Sequence, residues 1–317
     1  MKLWWTLLVA MVPGVLGAQR PLDGALLEDL RYQIPAFAQL TAGQARDVGR
    51  AMLTATQYDS LRGVVAPHFR KVSYGSDGLR VVAYLLHSNV PAGRRPVIVY
   101  ARGSFVAGDM APALLATMWR LADSGYVVVA PQYRGSDGGE GTDEMGGADV
   151  ADLHNAIRLA KSLPNIDSSR VYLYGESRGG MMVFQALRDG AGVAAAATVG
   201  AFTDLDSLLA ADPRSAAAAS QLWPTYATQR EQIAQRRSAA RWPETIKRPL
   251  LILHGGSDGQ VSPQQSLRLA SALQRLGAEY ELRIISGGSH TMSEMATTRD
   301  AAAMAWFGGF PHARPRP

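Results

Sequence analysis

The residues most able to do chemistry lie in Gly175-Glu176-Ser177-Arg178-Gly179-Gly180. A serine hydroxyl is a poor nucleophile near neutral pH and needs a base to take its proton and a third group to orient that base. A Gly-x-Ser-x-Gly sequence sets the serine on a sharp strand-to-helix turn, where small residues two before and two after let the chain pass. Gly175 and Gly179 fill those places. Residues 171–174 combine branched and aromatic side chains as a buried strand does, and residues 181–188 read as a helix. Ser177 is therefore read as a nucleophile, flanked by the opposite charges of Glu176 and Arg178.

Three histidines downstream are candidates for the base: His254, His290 and His312. His290 follows a predicted strand at 280–285 on the loop Ser286-Gly287-Gly288-Ser289, where a side chain can reach over the top of a sheet. His254 ends a strand and reads as support for its loop, while His312 lies in a Pro/Arg-rich tail. For the acid, Asp258 comes a few Gly-rich residues after the strand at 250–254, with a capping or turn role as its alternative. Asp204 and Asp206 are rivals that helix capping explains. Serine, acid and histidine in this order is the α/β-hydrolase arrangement. The oxyanion of a tetrahedral intermediate needs donors: the Arg178 amide, and a group of the loop after the strand at 96–101. Gly103 and Ser104 offer amides there and Tyr100 a hydroxyl, and the sequence leaves the three open.

The elements that must hold these residues alternate. Strands are expected at 68–74 and 79–87, joined by an Asp77-Gly78 turn, then at 96–101, 126–130, 170–174, 193–199, 250–254 and 280–285. Helices are expected at 110–124, 148–163 and after Ser177. This pattern implies a mostly parallel central sheet with helices on both faces and an antiparallel hairpin at its start. Between 203 and 242 the alternation fails, and a helical insertion carrying Trp223, Tyr226 and Trp242 reads as a lid, a substrate wall or simple packing. Leu26, Leu27, Leu30, Val48, Met52 and Leu53 at helical spacings make residues 19–67 an expected N-terminal helical extension. The catalytic domain then covers 68–310, and 311–317 form a flexible tail.

Residues 1–18 carry a basic start, a short apolar run, Pro13-Gly14 and small residues, the pattern of a secretory signal peptide rather than of the roughly 20-residue span a membrane helix needs. Export to the periplasm or the medium is expected, with no stable membrane insertion after cleavage. The chain has no cysteine, which excludes disulfides, thiolate metal sites and a cysteine nucleophile. The formal charge of +5 comes from scattered Lys and Arg without a nucleic-acid module, so no nucleic-acid partner is expected. No metal-ligand spacing or phosphate-cradling loop is present, and neither metal nor cofactor is expected.

Several segments together resemble the catalytic domain of the prolyl oligopeptidase family. They are Val72-Ser73-Tyr74 through Asp77-Gly78-Leu79, the strand Pro96-Val97-Ile98-Val99-Tyr100 with its Arg102-Gly103 loop, Pro131-Gln132-Tyr133-Arg134-Gly135-Ser136, Asp167-Ser168-Ser169-Arg170 leading into the Ser177 turn, and the Asp258 and His290 loops. The resemblance covers about residues 70–310 and implies a Ser177, Asp258, His290 triad acting on a small peptide. By the same resemblance, residues 140–152 look like an acidic loop in which Asp149 starts a helix and Asp143 or Glu144 faces substrate. Trp223 is a further substrate-binding candidate. Two departures separate the chain from the family's oligopeptidases: the stretch before residue 70 is too short for the β-propeller they commonly carry, and Arg102-Gly103-Ser104 stands where many have paired glycines. The expected activity is that of an exported serine peptidase, with a carboxylesterase acting on small esters as the alternative and a non-catalytic binding protein as a third reading.

Overall fold

The structure, a computed structural model, describes residues 20–88, 93–104, 108–211 and 219–311. The expected signal segment and His312 lie outside them. The described strands form one sheet in the order β1-β2-β3-β5-β4-β6-β7-β8-β9. These are β1 Leu26–Arg31, β2 Phe69–Ser76, β3 Leu79–Leu86, β4 Arg95–Ala101, β5 Val127–Pro131, β6 Ile166–Glu176, β7 Ala195–Val199, β8 Leu250–Gly255 and β9 Tyr280–Ile285. From β5 to β9 every neighbouring pair is parallel, whereas β1, β2 and β3 join antiparallel. The β2–β3 hairpin closes through Asp77 and Gly78, both at positive φ (53° and 77°), as a turn matching the twist of paired strands requires.

Helices cover both faces: α1 Ala42–Arg50, α2 Ala55–Val65, α3 Ala111–Asp123, α4 Val150–Ser162, α5 Arg178–Arg188, α6 Leu205–Ala211, α7 Tyr226–Arg237, α8 Gln264–Arg275 and α9 Ala296–Gly308. The sheet separates two apolar cores. Alternate residues of β4 and β6, such as Val97, Val99, Val171 and Leu173, pack on one side with α4 and α5, while Ile98, Tyr100, Tyr172 and Tyr174 pack on the other with α3 and α9. This is the α/β-hydrolase architecture, with strand tips gathered above β4 to β9. Among the described residues, no helix is long and apolar enough to cross a membrane.

One expectation needs correction. Residues 26–31 form an edge strand instead of a helix, antiparallel to β2 with a bulge between Leu26 and Glu28. The leucines at helical spacing are exposed, and pairing with β2 overrides that local pattern. The helical expectation holds for α1 and α2, which Thr41 with Gln44 and Thr54 with Gln57 start as capping boxes, whereas Met52 (φ 62°) and Leu53 lie between the two helices.

Candidate active site

Ser177 follows the last residue of β6 and precedes the first of α5, at φ 53° and ψ −120°. A side chain there pays for this left-handed backbone in strain, which persists only where the surroundings fix it. They do so through close approach: a Cβ on Gly175 would meet the Gly179 carbonyl at 2.5 Å, and one on Gly179 would collide with the Ala101 carbonyl of β4. The Ser177 amide donates to the Val199 carbonyl (2.8 Å), which ties the turn to β7.

Loops after β8 and β9 bring the other two residues to it. His290 Nε2 lies 2.9 Å from Ser177 Oγ, and its Nδ1 lies 2.8 Å from Asp258 Oδ2. Asp258 is fixed in turn by the amides of Gln260 (2.8 Å) and Val261 (2.9 Å), both donating to Oδ1. Burial raises the Asp258 pKa, but hydrogen bonds from His254, His290 and Val261 outweigh it and hold the carboxyl well below the usual carboxylate range. A carboxylate so held accepts the Nδ1 proton of His290 and leaves Nε2 unprotonated toward the serine hydroxyl. Gly200, at the end of β7 with φ 58°, makes room for this contact. A Cβ there would run into the His290 carbonyl and stand 3.2 Å from its Nδ1.

His254 is wholly buried and supports its own loop. Its Nε2 faces the Val261 carbonyl (2.8 Å) and Asp258 Oδ2 (3.1 Å), and its Nδ1 the Ser266 hydroxyl (2.6 Å). Asp204 accepts from the Ser207 amide (2.8 Å) at the start of α6, and Asp206 pairs with Arg230 (2.8 Å) and Arg241, so neither faces His290.

The loop after β4 packs on Ser177. A Cβ on Gly103 would lie 3.3 Å from that of Ser177, and Ser104 sits at φ 67°. Its carbonyl accepts from Arg178 (3.2 Å), and Arg102 donates to the Gly103 carbonyl (3.0 Å). The Tyr100 hydroxyl instead faces Glu176, so the backbone of Gly103 and Ser104 is the part of this loop set against Ser177.

The charges that flank Ser177 diverge. The buried Arg178 guanidinium forms a two-pronged pair with Asp143 and a bond to Asp149 (2.8 Å), 4.4 Å over the Tyr133 ring. Burial disfavours its charge, but the two carboxylates more than offset this and raise its pKa. Asp143 is thus engaged with Arg178. Asp149 also accepts from the amides of Gly146 and Gly147, which folds the acidic loop back before α4. Glu176 turns instead to Arg299 (3.0 Å).

Asp143, Glu144 and Trp223 come together around a cavity of about 480 Å³ between the acidic loop and the helical insertion, with Leu222, Ile233 and Arg236. Ser177, Asp258 and His290 do not line it. The Trp223 indole donates to the Glu144 carbonyl (3.0 Å) and stacks with the buried Arg237 guanidinium (4.7 Å), so it also fastens the insertion to the acidic loop. Burial pushes Arg237 down to about 10. The Trp242 indole likewise donates to a backbone carbonyl, that of Gln235 (2.8 Å).

Comparison with known proteins agrees with this architecture. The model of the prolyl oligopeptidase family matches residues 114–309, more than half the chain. The chain belongs to the prolyl oligopeptidase family. It is accordingly a serine hydrolase with the fold of that family's catalytic domain. It is 30% identical over 223 residues to YtmA of Bacillus subtilis, an uncharacterised peptidase, covering 69% of this chain and 84% of that one. The solved puromycin-hydrolysing peptidase of Mycobacterium tuberculosis superposes with a TM-score of 0.66 at 23% identity, over 78% of this chain and 40% of that one. An acylaminoacyl peptidase of Pyrococcus horikoshii gives 0.62 at 21% identity, over 79% and 43%. The chain therefore spans less than half the length of these solved peptidases.

Proposed function

We propose that the protein hydrolyses amide bonds of small peptides through an acyl-enzyme formed on Ser177. The observation that carries this reading is the His290 imidazole, set between Ser177 (2.9 Å) and Asp258 (2.8 Å) above the strand tips. His290 Nε2 takes the hydroxyl proton as Oγ attacks the carbonyl carbon, and Asp258 stabilises the imidazolium that forms. The carbonyl oxygen, now negative, meets the Arg178 amide at the start of α5 and an amide of Gly103 or Ser104. His290 then protonates the leaving amine, and water, deprotonated by the same nitrogen, releases the acyl group. Both carboxylates expected to face substrate border the cavity; Asp143 is held by Arg178, while the exposed Glu144 accepts only at Oε2, from the Ala148 amide (2.9 Å), and is the more open of the two to a substrate ammonium group. The first 18 residues support export as the setting of this activity.

Aminoacyl and prolyl amides assayed beside short-chain esters test the substrate class. Amide cleavage is expected; ester turnover without it would replace the peptidase reading with a carboxylesterase. A labelled fluorophosphonate should attach to the protein and not to Ser177→Ala, and an unlabelled, folded native protein would point to a binding function.

A further inference from the structure

Glu176 and Thr291 are the chain neighbours of Ser177 and His290, and one side chain reaches both, by an ion pair to the first and a hydrogen bond to the second. Arg299, near the start of α9, donates from Nη1 to the Thr291 carbonyl (2.6 Å), and the same nitrogen lies 3.0 Å from Glu176 Oε1. Its guanidinium plane is fixed by Asp300, which accepts from Nε (2.7 Å) and Nη2 (3.2 Å). Asp300 is itself fixed by the Tyr174 hydroxyl (2.8 Å) and Arg120 Nε (2.7 Å). Arg299 and Asp300 are both 1% exposed.

The sheet sets the separation of Ser177 and His290 only indirectly. Their loops leave β6 and β9, which are separated by β7 and β8, so a small error in each pairing adds to the distance between the two tips. Buried ion pairs are weak contributors to net stability, because desolvation offsets their attraction. What this one supplies is a direct link between two loops that the ladder joins in three steps.

Resting on the reading of Ser177 as nucleophile and His290 as base, we propose that Arg299 is a positioning residue that braces the nucleophile turn against the histidine loop and so keeps His290 Nε2 within hydrogen-bond reach of Ser177 Oγ. It touches neither reacting atom. Its effect is transmitted through Glu176 on one side and the Thr291 carbonyl on the other.

The test uses the full chain, with fluorophosphonate labelling rate and turnover of p-nitrophenyl acetate as readouts. Arg299→Lys keeps the charge but loses the planar fork, and Glu176→Gln, close to isosteric, removes the charge of one anchor while keeping an acceptor there, should the lysine variant fail to fold. A misplacement of about 1 Å between reacting groups costs on the order of 100-fold. Arg299→Lys is therefore expected to lower kcat and labelling by roughly 10- to 100-fold with KM within about twofold, and Glu176→Gln to do so less. In a His290→Ala background neither substitution should lower the residual labelling further, since the brace acts through His290. Equal losses with and without His290, or unchanged labelling in folded variants of a labelled native protein, would overturn the brace alone. A native protein that takes no label would overturn the reading beneath it and the brace together.

Discussion

Two imidazoles approach the same carboxylate oxygen and have opposite surroundings. His254 and His290 both reach Asp258 Oδ2, at 3.1 and 2.8 Å. His254 spends its other contacts inside the protein, on the Ser266 hydroxyl and the Val261 carbonyl, and its side chain has no exposed surface. His290 keeps 12% of its side chain exposed and presents its second nitrogen to Ser177. A carbonyl accepts only a donor, so His254 carries its proton on Nε2 and shares it between Val261 and Asp258. Nearness to Asp258 is common to both; what separates them, and what the proposed base role of His290 rests on, is the group facing the remaining nitrogen. His254 holds from inside the protein the same carboxylate oxygen that faces His290.

The comparison breaks most sharply at His290. His290→Ala is expected to lower kcat by on the order of 10⁴-fold or more, and combining it with Ser177→Ala should add little, as groups acting as one unit do. Steady-state turnover of the single and double variants measures this. Asp258→Asn comes next, with a loss of up to roughly 10⁴-fold, because an amide no longer stabilises the imidazolium or enforces the Nδ1–H tautomer. The same variant has a signature in acid. Asp258 has its folded pKa depressed, so its contribution to stability is full above the unfolded aspartate value near 4 and is lost as pH falls toward the folded value. Denaturant unfolding of native protein and Asp258→Asn should therefore differ by a constant amount at neutral and mildly acidic pH, and the difference should begin to shrink as the pH falls below about 4. His254→Phe should cost the least activity, about tenfold, together with roughly 1–3 kcal/mol of stability from the stranded Val261 and Ser266 groups, read by thermal unfolding beside the kinetics. A loss at His254 as deep as that at His290 would erase the distinction between them.

Much of this site was legible because its parts are local. The Ser177 turn, the Gly-rich run before Asp258 and the Gly287-Gly288 approach to His290 each announce a strand end within a few residues. Strand tips in a parallel sheet then meet by topology alone. The same locality misled at Leu26, Leu27 and Leu30, whose spacing suits a helix while the ladder to β2, some 45 residues on, decides the conformation. Long-range pairs left no mark in the sequence. Arg178 finds Asp143 from 35 residues away, and Glu176 finds Arg299 from the far end of the chain. Nothing in Glu176-Ser177-Arg178 says that one charge turns toward the acidic loop and the other toward α9. The choice among Tyr100, Gly103 and Ser104 is open in the sequence for the same reason, since the partner of the Tyr100 hydroxyl is Glu176.

Gly200 contributes no functional group, yet the space above its Cα is occupied by His290 and Asp258. A scan of every substitution in the chain, scored for turnover and separately for abundance, would place it beside the reactive residues in the first score. Even alanine there must displace the histidine loop. On the proposed chemistry, the set of positions that activity constrains is thus wider than the set of reagents, and a missing side chain belongs to it beside an imidazole.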